Sequence, residues 1–163
     1  MKKKIILGLL VIVGLFTITG CSKGTKTDDN KTLFNCVKNN ISDGDSDSTT
    51  RDIKRSAKVD DDGKLLYYTN DFIYYYDSED KCNEWCDIKT KWYKDMEEKN
   101  YSGLKNTVNC SCSKEKSLEA KSEYDITNLD SFLRDDIPNM KDDNTFELEE
   151  WINKYKKGNY NCN

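Results

Sequence analysis

A chain of 163 residues with 26 basic side chains, 30 acidic ones and no histidine rules out several chemistries at once. A Ser-His-Asp triad, a histidine-ligated metal and a histidine general base cannot be built from it, and a formal charge of −4 argues against nucleic acid as a partner. Ten Tyr, five Phe and three Trp are too many for a disordered polar chain, so a folded domain with its own core is expected.

Lys2-Lys3-Lys4 precede a 16-residue apolar run, IILGLLVIVGLFTITG. That run is shorter than the roughly 20 residues of a membrane-spanning helix, and a basic start before a short apolar stretch is the pattern of an export signal. It ends in Ile18-Thr19-Gly20-Cys21, a branched apolar residue and two small ones before cysteine. This resembles the lipobox of bacterial lipoproteins. The resemblance implies cleavage before Cys21, a diacylglyceryl thioether on its sulfur, and a protein held by lipid on the extracytoplasmic face of the cell membrane. Two acyl chains suffice for stable attachment at about 0.8 kcal/mol per buried methylene. Residues 1–20 then form a signal peptide, and their loss with three lysines and no acids takes the formal charge from −4 to −7. Residues 21–31, small and polar, read as lipid anchor and flexible tether. Residues 32–163 read as a single α+β domain.

In chain order, TLFNCVKNNI (32–41) is β-branched and aromatic and reads as a first strand. A loop, SDGDSDSTT, leads to RDIKRSAKV (51–59), with Ile53, Ala57 and Val59 on one side. Asp60–Gly63 is a tight turn, and KLLYYTNDFIYYYD (64–77) is the most strand-like run. These three make an antiparallel meander. From Ser78 to about Lys99 the period changes: Cys82, Trp85, Cys86, Trp92, Tyr93 and Met96 recur at helical spacing as a core-facing stripe. Asp77 or Ser78 can cap this helix, and Asn100 and Gly103 can end it. Asn106–Lys114 and Ser117–Thr127 read as a second hairpin, with Leu118, Ala120, Tyr124 and Ile126 on one face. NLDSFLRDDIP is a short helical turn. The last helix has Asn144 and Glu147 spaced as a capping box, apolar contacts from Phe146 to Tyr155, and Lys156-Lys157-Gly158 as its close. The order is βββ-α-ββ-α, an antiparallel sheet with two helices on one face.

Seven cysteines remain to be placed. With Cys21 consumed by lipid, Cys36, Cys82, Cys86, Cys110, Cys112 and Cys162 form an even set, which in an exported domain implies three disulfides. Cys82 and Cys86 lie one helical turn apart; Cys110 and Cys112 lie two apart on a strand, so both point to one side. The two spacings match, and two bridges can rivet helix to strand. This C-x-x-x-C with C-x-C arrangement resembles the cysteine-stabilised α/β motif of defensins and scorpion toxins in geometry. The short link from Asn100 to Lys105 makes helix and strand antiparallel and favours Cys86–Cys110 with Cys82–Cys112. The parallel arrangement of the toxin motif would give Cys82–Cys110 with Cys86–Cys112. Cys36 and Cys162 pair by elimination. A four-thiolate zinc site lacks its usual C-x-x-C knuckles, and a redox dithiol would prefer C-x-x-C at a helix start.

Other candidates read as structure. Asp43, Asp45 and Asp47 begin like a calcium loop, but the sixth position is Ser48 and the twelfth is Lys54; no metal is assigned. The tyrosine-rich strand offers two possible binding faces, Tyr67/Tyr75 and Tyr68/Tyr76. "ITGC", Cys36 on a first strand, two hairpins, an amphipathic helix and "GNYNC" after the last helix together make the chain similar to small uncharacterised lipoproteins of low-GC Gram-positive bacteria, and more faintly to the YehR-like lipoproteins. That resemblance brings no activity with it. The expectation is a non-enzymatic envelope component without cofactor, anchored by lipid, that meets an envelope protein or glycan. The alternative is an extracytoplasmic thiol-disulfide oxidoreductase using the CxxxC/CxC cysteines.

Overall fold

A computed structural model of the chain describes residues 25–27, 31–42, 48–141 and 145–163. The expected signal segment 1–20, the expected lipidation position Cys21, the acidic positions Asp43, Asp45 and Asp47, and Asn144 lie outside the described residues. Seven strands make one sheet: β1 (Thr25–Thr27), β2 (Lys31–Ser42), β3 (Thr50–Val59), β4 (Leu65–Tyr75), β5 (Leu104–Ser111), β6 (Ser117–Asp125) and β7 (Asn161–Cys162). Their spatial order is β1-β2-β3-β4-β6-β5, with β7 also paired to β2. Every pairing is antiparallel. Helix α1 (Glu79–Glu98) joins β4 to β5; a 3-10 turn (Ser131–Asp136) leads towards α2 (Leu148–Lys157). The α+β class, the meander, the second hairpin and both helices stand where the residue pattern puts them.

Two short strands depart from that pattern. Thr27 pairs with Lys31 and Thr25 with Leu33, so part of the 21–31 segment read as a tether folds back on β2. At the other end, Cys162 and Asn161 lie beside Cys36 and Val37. The Asn35 and Asn163 backbones exchange hydrogen bonds at 3.1 and 3.0 Å.

Local chemistry sets the turns. The Asp60 carboxylate accepts from the backbone N–H of Asp62 at 3.0 Å and of Lys64 at 2.8 Å, closing the β3–β4 hairpin around Gly63. Ser78 is extended, and its hydroxyl accepts from the Lys81 N–H at 3.3 Å, with Glu79 and Asp80 in the positive first turn of α1. After α1 the chain turns at Gly103, whose φ is 74°. A Cβ there would sit 2.7 Å from the Asp125 carbonyl and the Leu129 backbone, so only glycine fits. For α2 the position before the first turn is Glu147, with no side-chain cap bond; it pairs instead with Lys141. The left-handed residue that ends α2 is Asn159 (φ 62°) rather than Gly158 (φ −82°).

Strand parity decides the layers. Phe34, Ala57, Tyr68, Tyr124 and Leu104 form one cross-strand row; Phe72, Ala120 and Val108 form another on the same side. Trp151 of α2, fully buried, meets Tyr68 edge-on at 6.3 Å and Tyr155 at 5.1 Å. The α1 residues Cys82 and Tyr93 are buried with Leu118 and Ala120. Both helices therefore cover the same face of the sheet, α1 over β5 and β6 and α2 at the other end. Among the described residues the opposite face carries no helix.

The three disulfides are Cys36–Cys162, Cys82–Cys112 and Cys86–Cys110, with Cα–Cα distances of 4.1, 5.4 and 6.2 Å. The antiparallel pairing of the two central bridges holds, as the short α1–β5 link requires. They differ in surroundings: Cys82 and Cys112 are buried, whereas Cys110 is exposed. The α1 stripe is narrower than its sequence spacing suggests. Trp92 is 52% exposed and leaves the core, because Tyr93 takes the central position over Ser122 and Ala120.

Candidate functional site

The tyrosine-rich strand β4 is sorted by the sheet into two sets. Tyr67 and Tyr75 belong to the open face. Tyr68 is fully buried under α2, and Tyr76 is 6% exposed in the α1 core. Tyr68 and Tyr76 are therefore core residues and present no binding surface. Hydroxyl partners fit these roles: Tyr68 donates to Asn70 at 3.1 Å, inside the protein, while Tyr75 donates to Asp52 at 3.1 Å on the open side. Burial raises the Tyr68 phenol far above its ordinary value, with Tyr155 adding to the rise.

Around Tyr67 the open face is concave. Leu33, Ser56, Tyr67, Thr69, Asp71 and Glu123 help line a depression of about 210 Å³, and Tyr67 also borders a larger one of about 480 Å³ with Lys58 and Asp125. Period-2 placement brings carboxylates and ammonium groups together here. Lys121 pairs with Glu123 at 2.6 Å, which holds Glu123 below the usual glutamate range and Lys121 above the usual lysine range. The Tyr67 phenol is pushed up to about 12, chiefly by burial and then by its hydrogen bond to Glu123. Asp71 is raised by burial and by Glu119. At neutral pH this patch offers donors and acceptors in alternation around a neutral phenol, a surface able to hydrogen-bond a polar ligand.

The helix side is chemically different. The inward residues of β3 and β4 include Arg51, Arg55, Phe72 and Tyr74, placed there by the same registers that bury Ile53 and Tyr68. The five acids of β3, β4 and β6, namely Asp52, Asp71, Glu119, Glu123 and Asp125, all have the opposite parity. The Arg55 guanidinium donates to the Tyr155 hydroxyl and stacks over that ring at 4.8 Å and over Phe72 at 6.0 Å. The Phe72 and Tyr74 rings stack at 6.2 Å. Lys89 of α1 lies 5.7 Å from the Tyr74 ring and 5.2 Å from that of Trp92. Sequence reasoning passed over Arg55, Phe72, Tyr74 and Lys89; the readable signal is two arginines sharing the parity of Ile53 on a strand whose acid, Asp52, has the other.

The cysteines expected at a thiol centre are all engaged in the three bridges described above. Among the described residues no group of three or more Cys, Asp or Glu side chains is arranged to hold a metal ion.

Fold and surfaces define a disulfide-bridged α+β domain with one helix-covered and one bare sheet face. No protein-family model matches the chain, and no curated protein does. Among solved structures it is similar to a protein from Streptococcus pneumoniae TIGR4 determined by NMR, with a TM-score of 0.51 and 10% identity, the match covering 100% of this chain and 97% of that one. At that identity the likeness concerns the fold alone.

Proposed function

We propose that the protein is a lipid-anchored extracytoplasmic binding component of the cell envelope, attached through Cys21 and working without catalysis. The observation that carries this reading is the pairing of all six remaining cysteines, a state kept in oxidising compartments and rare in the cytosol. The order Lys2–Lys4, apolar run, Ile18-Thr19-Gly20-Cys21 supports the anchor. The concave open face around Tyr67, with Tyr75 further along the same face, supports contact with a polar envelope protein or glycan. Mass spectrometry of the protein taken from membranes tests the reading. The N-terminal peptide begins at Cys21 with two acyl chains, and no free thiol is found among Cys36, Cys82, Cys86, Cys110, Cys112 and Cys162. A bare Cys21 or reduced cysteines would overturn it. Affinity capture from intact envelopes with wild type and with Tyr67→Ala/Tyr75→Ala tests the open face; equal capture by both removes that face from the proposal. The exposed Cys110 favours a second reading, thiol-disulfide exchange at Cys86–Cys110. Failure to reduce or oxidise a dithiol substrate at glutathione potentials would eliminate it.

A further inference from the structure

On the helix-covered face Arg55 and Lys89 flank the Phe72 and Tyr74 rings, and among the described residues no carboxylate pairs with either cation. Arg55 and Lys89 are both half-buried. The groups that favour charge on Arg55 are phenols, those of Tyr155, Tyr68 and Tyr160. On Lys89 burial acts alone and lowers its affinity for the proton. A desolvated cation ordinarily pairs with a carboxylate. This chain has 30 acids with which to make such a pair, yet those on the sheet strands β3, β4 and β6 all point the other way. Between the two cations lie the stacked rings of Phe72 and Tyr74, and beside Lys89 α1 exposes Trp92 (52%). Aromatic residues and arginine around an apolar centre are the composition of binding hot spots, and a cationic rim complements an anionic partner.

We propose that this row of rings and cations binds an acidic peptide segment of a partner protein, with carboxylates at Arg55 and Lys89 and an apolar or aromatic side chain against the Phe72 and Tyr74 rings. The ring-to-cation steps of 6.0 and 5.7 Å on either side of a 6.2 Å ring pair correspond to roughly five residues of extended chain at about 3.3 Å each. The site lies on the face opposite Tyr67, so it is a second surface, and its test is independent of the anchor at Cys21.

The full chain in detergent is titrated with a fluorescently labelled random copolymer of glutamate and tyrosine, and binding is followed by anisotropy and by the emission of the exposed Trp92. The copolymer binds and the Trp92 emission changes. Lys89→Gln and Arg55→Gln each weaken binding about tenfold, Trp92→Ala weakens it severalfold, and Lys114→Gln in the exposed turn between β5 and β6 leaves it unchanged. Lys89→Gln and Trp92→Ala alter side chains outside the central packing, so they decide the matter even if Arg55→Gln unfolds. No binding overturns the proposal, as does an equal loss with Lys114→Gln, which would reveal unspecific charge attraction. Equal or tighter binding of polygalacturonate or of oligothymidylate also overturns it, by moving the ligand to a different class.

Discussion

The two faces of the sheet are built from the same five long strands and differ in almost every physical respect. The helix-covered face holds the core, its cations stack on rings, and the acids of β3, β4 and β6 stay off it. The bare face interleaves acids and lysines, and its Lys121–Glu123 ion pair is exposed enough for water to screen it. The difference shows how a period of two residues sorts chemistry: one step in register would carry Arg55 among the carboxylates and Asp71 beneath the helices. Stability is therefore expected to live on one side and polar recognition on both, by different means.

Cutting the tie at the covered side should give the largest effect. In Cys36→Ser/Cys162→Ser the denatured chain loses a closed loop spanning 126 positions, worth about 4–5 kcal/mol in the loop-entropy model; the midpoint of urea unfolding reads it. Trp151→Ala, at the centre of the α2 core, should cost about 3–5 kcal/mol, whereas Tyr75→Ala on the bare face should cost about 1 kcal/mol, the loss of one hydrogen bond and partial packing. Comparable losses for the two would erase the distinction between the faces.

The bridges repeat the contrast on a smaller scale. With limiting reductant followed by alkylation and peptide mapping, Cys86 and Cys110 should be labelled first while Cys82 and Cys112 stay protected, because only the former pair has an exposed member. Simultaneous labelling would mean that α1 opens as a whole before either bridge is reached.

The smallest effect concerns pH. Glu123 is held below the ordinary glutamate value of 4.5 in the folded protein, so its contribution is present above that value and is lost as pH falls through the lower folded value. Asp71 is raised above 3.8, so its protonation favours the folded state over the same acidic range. Glu123→Gln should remove the first effect and leave most of the second, which rests on burial and Glu119 ahead of Glu123. The decline of stability below about pH 4.5 then becomes shallower by less than about 1 kcal/mol, measured by urea midpoints from pH 6 to pH 3. A steeper decline in the variant would reverse the assignment.

Much of this architecture is legible before any coordinates. The Asp60–Gly63 turn, the alternation of Ile53, Ala57 and Val59, and the change of period at Ser78 each have a local cause, and the cysteine pairing follows from the short α1–β5 link. What is not legible depends on partners distant in sequence. β7 has two residues and no propensity of its own; it is a strand because Cys162 is bonded to Cys36 and Asn163 to Asn35. In a strand with tyrosines at adjacent positions, nothing local says which parity the helices will cover, so Tyr68 looks as available as Tyr67. Trp92 fits the helical stripe by angle, but the sheet below is narrower than the stripe. The row of rings and cations escapes for the same reason: Arg55 and Lys89 are 34 positions apart and are linked through the Phe72 and Tyr74 rings of β4.

Because Cys36 and Cys162 are joined, everything between them is a covalent circle. A protease that severs one peptide bond in any connection inside that circle leaves two pieces still linked, so the protein keeps its full mass on a gel until a reductant is added. If Cys21 carries the lipid proposed above, clipping of this kind would release nothing from a membrane, and a cut between Cys21 and Cys36 would be needed to free the domain intact.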